Sequence, residues 1–307
     1  MKTIHTVEKE NTGQAESVII TGFSETVKYQ IPSRSFIPFL LITFGIAWTI
    51  LGLYICLPEK MTGIFGELSG DHPLFFLSVY APAIAAFTII IYKAGFKGLK
   101  SYLSRLLIWR TSLSWYAFLF LGIPLIFIAG SFIKGNLFTD PFPFSSSSAL
   151  LAAMVFAMIK GPVEEFGWRG LALPLLQRKL TPIWAGLILG IIWGIWHLPA
   201  FLISGTRQSE WSFAPFFIGC IALSIIVTPL FNRSNGSILL TAFFHFMLMN
   251  PVFPDAQPFD TYIIIVVAVV VVWFSRKTMF TKEGAVTMVI PLTENREIVD
   301  TGQTYRL

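Results

Sequence analysis

SALLAAMVFAMIKGPVEEFGWRGLALPLLQ, residues 148–177, is an apolar run interrupted by four ionisable side chains, Lys160, Glu164, Glu165 and Arg169. At about 1.5 Å per residue it is longer than one simple crossing of a hydrocarbon layer of about 30 Å. Gly161-Pro162 lies inside it and predicts a kink or break there. Placing a charge in hydrocarbon costs at least a few kcal/mol, so each of the four needs a partner or a purpose.

Seven further apolar runs flank this one, at about 36–57, 73–93, 113–134, 182–204, 212–231, 236–252 and 259–275. The chain is 54% hydrophobic and 13% charged, with a mean hydropathy of +0.70. A single soluble core cannot hide that much apolar surface. The expected fold is therefore all-α, a polytopic membrane helix bundle of about eight spans. It divides into an N-terminal tail (1–35), a membrane domain (36–275) and a C-terminal tail (276–307). Cys56 and Cys220 each sit in an apolar run and read as buried free thiols. The first 35 residues hold no apolar stretch of the signal-peptide kind, so the first helix must do the targeting.

Orientation follows from the basic residues. With both tails in the cytoplasm, 17 of the 22 Lys and Arg fall on the cytoplasmic side. The opposite side holds Lys60, Lys134 and Arg207, and Lys160 and Arg169 lie within the fourth run. The net charge of +5 thus reports topology and gives no sign of nucleic-acid binding. The expected setting is a plasma membrane of bacterial type. Lys97 to Arg110 (KGLKSYLSRLLIWR) mixes basic and apolar residues as an interfacial helix does.

The buried polar residues concentrate between 160 and 250. Glu165 and Arg169 are i,i+4 and can pair. Glu164 is turned about 100° away, with Lys160 as its local competitor. Span five carries His197 in GIIWGIWHLPAF, and span seven carries His245 and then Asn250 in LTAFFHFMLMN. Glu164 and His197 lie about 25 Å either side of the turn near residue 180, and His245 about 18 Å from its own cytoplasmic loop. A carboxylate and two imidazoles can therefore meet in one layer. Trp168, Trp193 and Trp196 read as packing, although Trp193, four residues before His197, can also shape a pocket wall.

That set suits hydrolysis. Burial favours the neutral form of a carboxyl, the condition for a base working near neutral pH. Glu164 can take a proton from a water oriented by His197, while His245 and an amide such as Asn250 supply donors to an oxyanion. The same Glu164, His197 and His245 also make a possible zinc set, without the H-E-x-x-H helix motif of zinc proteases.

GPVEEFGWRGLALPLLQ, GIIWGIWHLPAF and SILLTAFFHFMLMN resemble the three motifs of the CAAX-protease and bacteriocin-processing (CPBP) family of intramembrane proteases, over about residues 150–250. The first motif, E-E-x-x-x-R, fits at Glu164, Glu165 and Arg169, and the second at Trp193 and His197. In the third, the family has Asn or Asp four residues after the histidine. Here that position is Met249, and the amide arrives one residue later at Asn250. The resemblance implies a membrane endopeptidase using a Glu-activated water, with no required cofactor and a peptide or membrane-protein substrate. Two other readings remain open: a non-catalytic protein of the same fold that acts in peptide binding or bacteriocin self-immunity, and a transporter with a midplane site.

Overall fold

Proline marks the start of three helices. Pro58, Pro73 and Pro182 each occupy a first turn, where a missing N–H costs nothing. The computed structural model describes residues 30–138, 144 and 146–291, together with the backbone of four short tail strands. Its elements are α1 (Phe36–Cys56), α2 (Pro58–Phe65), α3 (Pro73–Leu103), α4 (Leu113–Lys134), α5 (Ser147–Ile159), α6 (161–177), α7 (Pro182–Trp196), α8 (Phe213–Arg233), α9 (Ile238–Leu248) and α10 (Phe259–Met279).

Six of these segments are long and apolar enough to cross a membrane, against the eight similar spans expected. The difference lies in the fourth and seventh runs. The predicted break is present: α5 ends at Ile159, and Lys160 leaves helical geometry at ψ −89°. Beyond it α6 is irregular, a 3-10 turn over Gly161–Glu164, one α turn, a π segment over Trp168–Ala172 and a last α turn over Leu173–Gln177. The seventh run yields only the 11-residue α9. Both carry the polar residues, so these are the places where a continuous apolar helix is not what the sequence encodes.

Helix packing follows the small residues. An added Cβ on Gly186 or Gly190 of α7 would stand 2.7 Å from Thr228 Oγ1 or Ile221 Cα of α8, so bare backbone lets those two helices meet closely. Pro82 of α3 touches α6 the same way, at 2.5 Å from a Cβ built on Gly167. Trp168, Leu171 and Leu173 of α6 share one core with Phe39, Ala85 and Ile90 from α1 and α3 and with Leu189 and Trp193 from α7. Leu41, Leu121, Leu125, Val269 and Phe274 project outward, as a lipid-facing surface requires. Cys220 is buried as expected, whereas Cys56, the last residue of α1, is exposed.

One end of the bundle is sealed by residues 286–291. Arg105, expected on an interfacial surface, is instead fully buried. The chain swings at Gly95 (φ +63°), and the helix beyond it points Arg105 inward, where it donates to the carbonyls of Gly236 (2.8 Å), Val289 (3.1 Å) and Met288. Arg178 donates to the Ile31 carbonyl (2.6 Å) and the Thr287 carbonyl (2.8 Å). Burial without a carboxylate is met here by backbone acceptors. In the tails, β1 (Thr6–Val7), β2 (Val18–Ile20), β3 (Glu297–Val299) and β4 (Thr304–Arg306) pair in that order as an antiparallel sheet, beside the expected helices. The remaining tail residues, with Lys2, Lys9, Lys28 and Arg296 of the charge count, lie outside the described residues.

Candidate active site

The break after α5 is what frees Glu164. In a continuous helix Lys160 would sit one turn above it. Here Lys160 swings out to an ion pair with Asp71 at 2.7 Å, so the local competitor is removed. Glu164 is buried, and its Oε2 accepts from the Trp193 indole N–H at 2.8 Å, leaving Oε1 for a proton.

Trp193 does more than line the wall. Its carbonyl accepts from His197 Nδ1 at 2.8 Å. That bond fixes the tautomer and turns the other nitrogen, Nε2, into an acceptor on the opposite edge. The Trp193 ring also meets the His245 ring edge-on at a centroid separation of 5.5 Å and carries the Arg169 guanidinium over its face at 4.8 Å. One residue, by its ring and its carbonyl, thus touches four of the predicted residues. His197 is only half-buried, its ring flanked by Phe216 and Trp196.

Glu165 and Arg169 pair as the spacing predicts, Nη1 to Oε1 at 2.9 Å, both buried. The same Oε1 accepts from His245 Nδ1 at 2.8 Å. This second bond is not readable from spacing, because it spans 80 positions. It points His245 Nε2 at the backbone of Gly161, where an added Cβ would lie 2.6 Å from Nε2.

Among the described residues, no hydrogen bond joins the Asn250 side chain to Glu164, His197 or His245. The helix stops at Leu248, and the Asn250 carboxamide oxygen caps the backbone N–H of Val252 at 3.1 Å. Met249 takes the i+4 place, its sulfur against Gly161. Trp168 and Trp196 pack as expected, edge to face at 5.9 Å. Among the described residues no three His, Cys, Asp or Glu side chains gather as an ion-binding group.

Tyr102 escaped sequence reading, and Gly161, expected only as part of a break, has a second role. Gly161 provides the close approach just described. Tyr102 of α3 is fully buried and donates its hydroxyl to the Phe166 carbonyl, two residues past Glu164. It fits only because Gly170 has no side chain, since a Cβ there would stand 2.0 Å from the hydroxyl oxygen. An isolated glycine in WRGLA was the available signal.

Residues 146–250, which contain every residue of this layer except Tyr102, match the family described as type II CAAX prenyl endopeptidase Rce1-like. A CAAX prenyl protease 2 from Methanococcus maripaludis is 27% identical over 152 residues, 46% of this chain. The match spans 56% of that relative's length.

Proposed function

We propose that this chain, an integral multi-pass membrane protein whose core belongs to the CPBP (CAAX-protease) family, hydrolyses peptide bonds with a water activated by Glu164. The observation that carries the reading is the double grip of Trp193, which holds Glu164 by its indole N–H and His197 by its carbonyl. A carboxylate and an imidazole acceptor are thereby held in one protected layer.

In this scheme the water donates one hydrogen bond to His197 Nε2 and loses its other proton to Glu164. Its oxygen bonds to the peptide carbonyl carbon. The oxyanion is met by His245, whose Nδ1–H is committed to Glu165 and whose Nε2 donates when the ring is protonated. Glu164 then passes its proton to the leaving nitrogen as the C–N bond breaks, giving a carboxylic acid and an amine. Arg169 balances Glu165 and keeps that carboxylate aimed at His245.

The test is cleavage of a quenched peptide library by purified protein in detergent. Glu164→Gln keeps an acceptor for Trp193 and should fold normally yet lose turnover, and His197→Ala should do the same. Full activity in a folded Glu164→Gln protein would refute the role. Glu164, His197 and His245, the expected zinc set, do not gather as an ion-binding group among the described residues, and metal analysis with chelator treatment tests for zinc there. A second reading, a non-catalytic peptide-binding or immunity protein, draws support from the local turn made by Asn250. Absence of cleavage by the wild type across a broad library would favour it.

A further inference from the structure

We infer that the catalytic layer opens on the face of the membrane opposite the tails, so its substrates are polypeptide segments presented on the non-cytoplasmic side. This rests on the protease reading for the word substrate, but the geometry stands without it.

α7 starts at the sealed end, and Trp193 is eleven residues from Pro182 but three from the helix end at Trp196. By axial rise that is about 17 Å from one end and about 5 Å from the other. His245 is likewise seven residues from Ile238 and three from Leu248. His197 forms the C-cap of α7 itself and packs on Phe216, in the first turn of α8. Three helices therefore agree that the layer lies just beneath the end carrying α2 and the loops 66–72 and 198–212.

The two ends also differ in how they are closed. At the far end, two loops meet through one backbone bond, Gly70 N–H to the Gly205 carbonyl at 3.3 Å, and through a small apolar cluster that includes Leu68 and Ile203. Beside it, Lys160, four residues before Glu164, reaches the largely exposed Asp71. At the tail end a continuous network blocks passage. It comprises the buried Arg105, the reciprocal amide pair Gln177–Asn232 (3.0 and 2.7 Å), Arg178, and Val289 with no exposed surface. A peptide reaching Glu164 from there would have to break most of these bonds.

Charge says which face is which. The sealed end is the one followed by Arg178, Lys179, Arg233, Arg276 and Lys277 and preceded by Lys97 and Lys100, whereas the far end keeps Lys60, Lys134 and Arg207. Short loops rich in Lys and Arg stay in the cytoplasm. The layer then faces away from it.

Two exposed lysines decide the matter experimentally, Lys60 on α2 and Lys179 at the sealed end. In a Cys56→Ser background, Lys60→Cys should react with a membrane-impermeant maleimide in intact cells, and Lys179→Cys only after permeabilisation. The reverse pattern overturns the inference. In sealed proteoliposomes given a quenched peptide outside, the rate relative to detergent-opened vesicles should equal the fraction of molecules labelled at Lys60→Cys. A rate that follows the Lys179→Cys fraction would overturn it from the catalytic side. No cleavage even after detergent would count against the protease reading alone, and labelling in cells would still decide the orientation.

Discussion

Gly161→Ala puts the local geometry to its sharpest test. The backbone at this position carries no positive φ, so alanine suits its conformation. On backbone grounds alone the change should stabilise the chain by about 0.4–1 kcal/mol. The surroundings predict the opposite sign. An added Cβ stands 2.1 Å from Met249 Sδ and 2.6 Å from His245 Nε2, whereas ordinary contact begins near 3.4 Å. The thioether can swing aside at little cost. The imidazole cannot, because Nδ1 is tied to Glu165 and the ring edge rests on Trp193. It must retreat by about 0.8 Å to reach ordinary contact, straining the bond to Glu165. Overpacking of this kind costs about 1–3 kcal/mol. A displacement near 1 Å in a reacting constellation lowers turnover by about 10²-fold. Thermal unfolding in detergent reads the first quantity and peptide cleavage the second. Adding Met249→Ala should recover little of either, because the histidine is the obstacle. A Gly161→Ala protein that melts above the wild type with undiminished cleavage would refute the reasoning.

Glu165→Gln removes the carboxylate shared by Arg169 and His245 and strands a buried guanidinium, so stability should fall by about 3–5 kcal/mol, seen as an early thermal transition or lost folded yield. Met249→Asn returns an amide to the i+4 face above Gly161. A donor there should raise kcat with little change in KM, up to the ~10²-fold worth of one oxyanion contact, and an unchanged kcat would show the position idle. Tyr102→Phe keeps the ring but leaves the Phe166 carbonyl without its hydroxyl partner; a loss of about 1–3 kcal/mol in unfolding free energy is expected. Arg105→Lys preserves charge but not the fork that spans Gly236, Met288 and Val289, so hydrogen exchange over 286–291 should accelerate while the α7 core stays protected.

Much of this protein was legible in one dimension because bilayer thickness and helix pitch are fixed lengths. Apolar runs of about 20 residues give spans, and i,i+4 spacing gives Glu165–Arg169. The same arithmetic set Glu164, His197 and His245 at one depth, and the Gly161-Pro162 break followed from a missing N–H. What depth could not supply was rotation and partner choice. Spacing let Lys160 compete for Glu164, and only the packed chain sends it to Asp71, 89 positions away. The grip of Trp193, the bond from His245 to Glu165, the inward turn of Arg105 and the hydroxyl of Tyr102 all join segments distant in sequence. Each is chosen by which side chains happen to face one another once the helices have packed. Periodicity reports the face a residue lies on; its partner across the bundle is decided by packing alone.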